Sequence, residues 1–321
     1  MRGKIKIYVK NKQITFSFTL ERNVTVITGD SGTGKTKLIN MVKNYSELGK
    51  SSGVTLRCDK TCIVLEGRSW EQVLADTHNS VVFVEESTPL FLTSQAFAQA
   101  MKKSDNYYVL VTREPLPQLP YSIDCIKQII RKNKNDRKPQ LDKIYKNISV
   151  KKISGFPYDI VITEDSKSGF QLFTKATEKH KVKCISAGGK SGILPLLNKH
   201  TDKKILVIAD AAALGSEIRE LVRFREISNN KIDFFLPESF EWLILKSAIF
   251  AGNNHIKNIL TEPVDYIESQ EFFSWEQFFT SLLVEETKNS PQLQYPINKS
   301  KLPAGYQTDA NIESIINAMK K

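Results

Sequence analysis

"TVITGDSGTGKTKLINMV", residues 25–42, interrupts a short apolar run with three glycines and then resumes at helical spacing. Gly29, Asp30, Ser31, Gly32, Thr33, Gly34, Lys35 and Thr36 fit the pattern G-x-x-x-x-G-K-[ST]. The order has a chemical reason. Small residues let consecutive backbone N–H groups curl around phosphate oxygens, the lysine ammonium reaches the β and γ oxygens, and the last hydroxyl ligates Mg²⁺. A helix opening directly after the loop adds its positive dipole end to the same anion. The flanks supply that context. Val24–Thr28 reads as a buried strand, and Leu38, Ile39, Met41 and Val42 place apolar side chains along a helix over 35–45. The stretch is therefore read as a phosphate cradle in preference to a glycine-rich hairpin turn, with ATP and Mg²⁺ as its expected ligands.

A chain of 321 residues has room for two domains, each with its own core. Its 40% hydrophobic and 25% charged residues are ordinary for a globular protein. No apolar run approaches the roughly 18 residues that a membrane span needs, so no membrane partner is expected. The N-terminus, MRGKIKIYVK, alternates in the manner of a strand and does not read as a signal peptide. Cys58, Cys62, Cys125 and Cys184 are too few and scattered for a disulfide framework, which points to reduced thiols in the cytoplasm. The net charge of +11 suits a phosphate-rich partner, nucleic acid being the obvious one; a lysine-rich composition gives the same figure. Lys127–Lys146 is the clearest basic cluster, with 133–140 ("NKNDRKPQ") as the expected flexible point.

Residues 4–19 form two alternating strands around a turn, and this hairpin feeds the glycine loop. Residues 80–87, "SVVFVEES", and 107–114, "YYVLVTRE", are continuous apolar runs with helical pattern between them, the mark of a parallel sheet buried on both faces. The arrangement resembles the start of ABC-type P-loop ATPase heads, including SMC-like and RecF-like ones. Under that resemblance Glu85 and Glu86 stand in the place of a Walker B pair, one holding Mg²⁺ and the other polarising the attacking water. Glu85 stands where aspartate is usual. Thr112 and Arg113 end the neighbouring strand, where a γ-phosphate sensor would sit. No LSGGQ-like signature precedes residue 80; the one similar stretch is "ISAGGKS", 185–191, which leaves open a single ABC-like head threaded through both halves.

Organisation restarts after residue 153. "YDIVITEDSKSGFQLFTKATEKH", "KVKCISAGGKSGILPLLNKH" and "KKILVIADAAALGSEIRELVRF" each read as strand, turn, helix. Glu164 ends the first strand and Asp210 the third, and ligands bind beyond such strand ends in open parallel sheets. The order resembles the Toprim domain of topoisomerases, bacterial primases and the overcoming-lysogenization-defect nucleases. That domain places a glutamate after its first strand and D-x-D-x-x-G after its third. Glu164, Asp210 and Gly215 match, and Glu241 in "LPESFEWLIL" falls in a further acidic place. Ala212 and Ser168 stand where further aspartates would be. The resemblance implies Glu164, Asp210 and Glu241 as metal ligands, with either metal-dependent cleavage of nucleic acid or a degenerate binder that has lost it.

The expected fold class is α/β. A P-loop domain spans 1–145, a Toprim-like parallel domain 153–250, and a mostly helical C-terminal extension 251–321. In that extension Trp275, Phe278, Phe279, Leu282 and Leu283 read as a core face, and the loop carrying Lys299 and Lys301 reads as solvated. The plan is that of trimmed OLD-like nucleases, which implies an ATP-governed action on nucleic acid in phage defence or on a mobile element. The alternative is a nucleotide-dependent switch that orders a homo-oligomer or recruits an effector protein without nuclease activity.

Overall fold

The computed structural model describes residues 2–85, 89–133, 135–150, 153, 156–228 and 231–319. It is mixed α/β and divides into two compact units, 1–145 with 264–273, and 146–263 with 274–321. Residues after 250 are thus shared between the units.

In the first unit, β1 (Ile5–Lys10) and β2 (Thr15–Leu20) pair antiparallel, Ile5 against Leu20 and Lys10 against Thr15. Asn11 holds the turn, its side-chain oxygen accepting from the N–H groups of Gln13 and Ile14 at 2.9 Å. Next come β3 (Val24–Thr28), α1 (Lys35–Leu48) and β4 (Thr55–Arg57), which adds to the other edge of β1. The chain continues through β5 (Cys62–Val64), α2 (Trp70–Ala75), β6 (Val81–Glu85), α3 (Pro89–Leu92), α4 (Gln95–Lys103), β7 (Tyr107–Val111), β8 (Ile126–Ile130) and β9 (Gln140–Lys143).

A six-stranded sheet runs β5-β6-β7-β3-β8-β9. It is parallel except for β9, which returns antiparallel along β8. The continuous apolar runs have their cause here: Val81–Val84 and all of β7 are buried, as strands covered on both faces must be. Phe16 and Phe18 of the hairpin meet Leu38, Met41 and Val42 of α1, and Phe83 and Val109 of the sheet, in one core. The basic stretch expected to be flexible falls between β8 and the start of β9. The Asp136 carboxylate organises it by accepting from the N–H groups of Lys132 and Lys138 at 2.9 Å.

The second unit holds β10 (Ile160–Thr163), α5 (Ser168–Glu178), β11 (Lys183–Ser186), α6 (Ile193–Lys199), β12 (Ile205–Ile208), α7 (Ile218–Ile227), β13 (Ile232–Phe235) and α8 (Phe240–Lys246). After these come α9 (Asn254–Thr261), α10 (Trp275–Thr287) and α11 (Asp309–Ala318). Its four strands are all parallel, in the order β11-β10-β12-β13. Thr163 is level with Ser186 on one side and Ile208 on the other. The chain leaves β10 for β11, then crosses back to β12 and β13. That reversal opens a crevice between the carboxyl ends of β10 and β12, the position where such sheets bind ligands.

Candidate functional site

The glycine loop at 29–36 is built from the backbone upward. Gly29, Gly32 and Gly34 have φ of 115°, 80° and 112°, values that side chains rarely tolerate. Gly34 is further constrained by space, because a Cβ there would lie 2.9 Å from Arg131 Nη2 and 3.4 Å from the Phe16 ring. Lys35 opens α1, and its ammonium folds back to donate to the carbonyls of Gly29 and Asp30, both at 2.6 Å. The cation therefore lies within the loop's own turn. Asp30, Ser31 and Thr36 are exposed, and the Thr36 hydroxyl stands at the helix entrance. Two arginines brace the loop: Arg113 Nη2 donates to Ser31 Oγ at 2.8 Å, and Arg131 Nε to the Thr33 carbonyl at 3.0 Å.

Register fixes where Glu85 stands. Glu85 pairs with Val111 and Val111 pairs with Ile27, so the three share a row across β6, β7 and β3. The glutamate backbone is thus two strand spacings from Ile27, about 9–10 Å, and Ile27 is two residues before the loop's first glycine. Glu86 lies outside the described residues.

In the second unit a cavity of about 100 Å³ is lined by Glu164, Asp165, Asp210, Glu241, Glu276 and Lys299 among others. Glu164 Oε2 accepts from the N–H of Asp210 at 3.0 Å, tying the ends of β10 and β12 together. Burial raises the Glu164 carboxyl to about 7 against that hydrogen bond, with the charges of Glu276 and Asp165 adding to the rise. Asp210 is pushed well above the ordinary carboxylate range, first by burial and then by Glu276 and Glu164. Asp165 turns aside to cap α5, accepting from the N–H groups of Lys167 and Gly169 at 3.2 and 3.0 Å.

Glu241 is completely buried in the first turn of α8. Its Oε1 accepts from the Tyr295 hydroxyl at 2.8 Å and its Oε2 from the Lys299 ammonium at 3.1 Å. Because a carboxylate only accepts, the single Tyr295 proton points to Glu241, and Ser168 must donate to the Tyr295 oxygen across 2.6 Å. Lys299 also donates to Glu276 Oε1 at 2.6 Å. Burial alone would lower the Lys299 pKa, but Glu241, Asp210 and Glu276 more than offset it, and the ammonium holds its proton more tightly than a free lysine.

The expected ligand set Glu164, Asp210 and Glu241 lines one cavity, as its sequence positions suggested. These residues nonetheless do not fit a divalent ion as they stand. Both Glu241 oxygens are taken, one by an ammonium, and among the described residues no group of three or more His, Cys, Asp or Glu side chains is placed to hold a metal. Ala212 is buried and is not among the residues that line the cavity. The loop of 295–306, expected to be solvated, buries Tyr295, Leu302 and Tyr306 instead.

Glu276, Lys299 and Tyr295 were not legible as site residues. They come from the tail, and the only local sign is two tyrosines flanking lysines in 295–306. No family model matches the chain, and no curated protein matches it in sequence.

Proposed function

We propose that the first unit binds ATP with Mg²⁺ and hydrolyses it, and that the second is a Toprim-like module acting on nucleic acid. The observation that carries the first part is the Lys35 ammonium folded into a loop of left-handed glycines at the entrance of α1. Backbone N–H groups there, Lys35 and the dipole of α1 would hold the triphosphate, and the Thr36 hydroxyl would ligate Mg²⁺. Bound Mg²⁺ would neutralise charge on the transferring phosphoryl group. Glu85, level with Ile27 in the sheet register, would help hold that Mg²⁺. Arg113, reaching the loop through Ser31, would contact the terminal phosphate.

The acids at the carboxyl ends of β10 and β12, together with the net charge of +11, support a module that meets nucleic acid. A non-cleaving version, in which ATP governs binding or assembly, is favoured by the engagement of Glu241 and Glu276 with Lys299.

Calorimetric titration of ATP into wild type and Lys35→Ala tests the first part. Wild type should bind one ATP, and the variant should lose at least about 100-fold in affinity, since charge-assisted phosphate contacts are the strong ones. Equal affinity would remove the reading. Plasmid nicking and DNA binding, each with Mg²⁺ or Mn²⁺ and with or without ATP, test the second. Salt-sensitive binding without nicking supports the non-cleaving version.

A further inference from the structure

The tail loop that enters the acidic cavity is constructed around one side chain. Lys299 adopts φ 57°, the left-handed region that side chains rarely occupy, and contacts on both sides of it hold the loop. The Lys299 N–H donates to the Pro296 carbonyl at 2.9 Å, closing a turn. The Asn298 side chain accepts from the Ser300 N–H at 3.1 Å. Two residues of α5 and its approach then pin the loop. Lys167 Nζ donates to the Asn298 carbonyl at 3.1 Å, and Gln171 Oε1 accepts from the Leu302 N–H at 2.9 Å. Tyr295, four residues earlier, is anchored on Glu241 and Ser168.

The product of this construction is an ammonium between Glu241 and Glu276, in the same cavity as Glu164 and Asp210. Carboxyl groups gathered in one cavity repel one another when ionised, and either protonation or a positive charge relieves them. A divalent ion is one source of it. Here the chain supplies it, from a residue delivered by a strained and fastened loop.

We infer that Lys299 is the resident cation of this cavity, that the second unit therefore takes no divalent ion there, and that removing the ammonium frees the acids to close together on Mn²⁺ or Mg²⁺. The inference rests on reading these acids as the Toprim-like set. A divalent ion taken by Glu241 or Glu276 would compete with the Lys299 ammonium for the same oxygens.

The test is Mn²⁺ titration of the full chain followed by electron paramagnetic resonance, without nucleotide so that the phosphate loop recruits no ion. Wild type should bind no Mn²⁺ with a Kd below about 1 mM. Lys299→Met, which keeps the length and removes the charge, should bind one ion at least about tenfold more tightly, a difference of about 1.4 kcal/mol. Lys299→Met combined with Glu241→Gln should lose it again. A wild-type site that binds Mn²⁺ tightly and is abolished by Glu241→Gln overturns the inference. So does a folded Lys299→Met that binds none.

A second measurement needs no variant. Brief acetylation of wild type read by mass spectrometry should modify Lys299 at least about tenfold more slowly than exposed Lys301, with or without Mn²⁺. Equal rates overturn the inference. Failure of the nucleic-acid reading would appear separately, as absence of DNA binding in wild type and Lys299→Met alike, and would leave the Mn²⁺ result unchanged.

Discussion

Glu164→Gln should change how stability depends on pH, and the sign follows from burial. The unfolded chain ionises this carboxyl near 4.5, whereas in the folded unit burial holds it protonated up to about 7. Between those values the folded state binds a proton that the unfolded state has released, so stability falls as pH rises. Below 4.5 both states are protonated and the residue contributes nothing. At 1.36 kcal/mol for each pKa unit, the loss reaches about 3 kcal/mol above pH 7. Asp210, raised well above its ordinary range by burial, acts in the same direction and remains in the variant. Glutamine cannot ionise, yet its carbonyl oxygen can still accept the Asp210 N–H. The variant should therefore match wild type near pH 4.5 and exceed it by about 2–3 kcal/mol at pH 8. Urea unfolding at intervals from pH 4.5 to 8 measures this. The chain has three tryptophans, so a Trp70→Phe background leaves Trp242 and Trp275 to report on the second unit. A difference between the two proteins that stays constant across that range would refute the argument.

Gly34→Ala should cost about 1–3 kcal/mol through its left-handed φ and the close approach of Arg131, and should weaken ATP binding with it; calorimetry and thermal unfolding on one preparation check both. Tyr295→Phe leaves Glu241 Oε1 and Ser168 without their shared hydroxyl, and should destabilise the second unit by about 1–3 kcal/mol in urea unfolding, the only volume lost being one oxygen. Glu85→Ala should reduce ATP turnover at limiting Mg²⁺ by at least about tenfold while ATP affinity stays within about twofold; unchanged turnover would show that β6 does not end at the reacting phosphate.

What the sequence disclosed follows a physical division. The glycine loop was legible because Gly29, Gly32, Gly34 and Lys35 are contiguous and their conformational demands are local. Strands β6, β7, β10 and β12 were legible because burial on both faces forces continuous apolar runs. Strand order was not. Nothing local states that β7 lies between β3 and β6, or that β4 leaves the main sheet to pair with β1. Arg131 was missed for the same reason: it reaches Thr33 only because β8 lies beside β3, 98 positions apart in sequence. Lys299 was the hardest. A lysine between tyrosines in a Pro- and Gly-bearing stretch has the composition of a solvated loop, and its charge finds its partners in Glu241 and Glu276.

The two units place acids at the same position, the carboxyl ends of parallel strands, and supply the opposing cation in different ways. In the first, Lys35 is six residues from Gly29, on the loop's own turn, and Ser31 and Thr36 beside it are open to solvent. In the second, the cation arrives from a residue 58 positions after Glu241, and its other partner Glu276 stands in the first turn of α10, set there by the Ser274–Gln277 capping box. Opening that cavity requires breaking two ion pairs and the Tyr295 hydrogen bond to Glu241 together. Losing its contacts leaves the fully buried Glu241 carboxylate without partners, whereas Glu276 is 30% exposed and water can reach it. Glu241 is thus held by two side chains from distant sequence, Tyr295 and Lys299, where Lys35 folds onto its own loop.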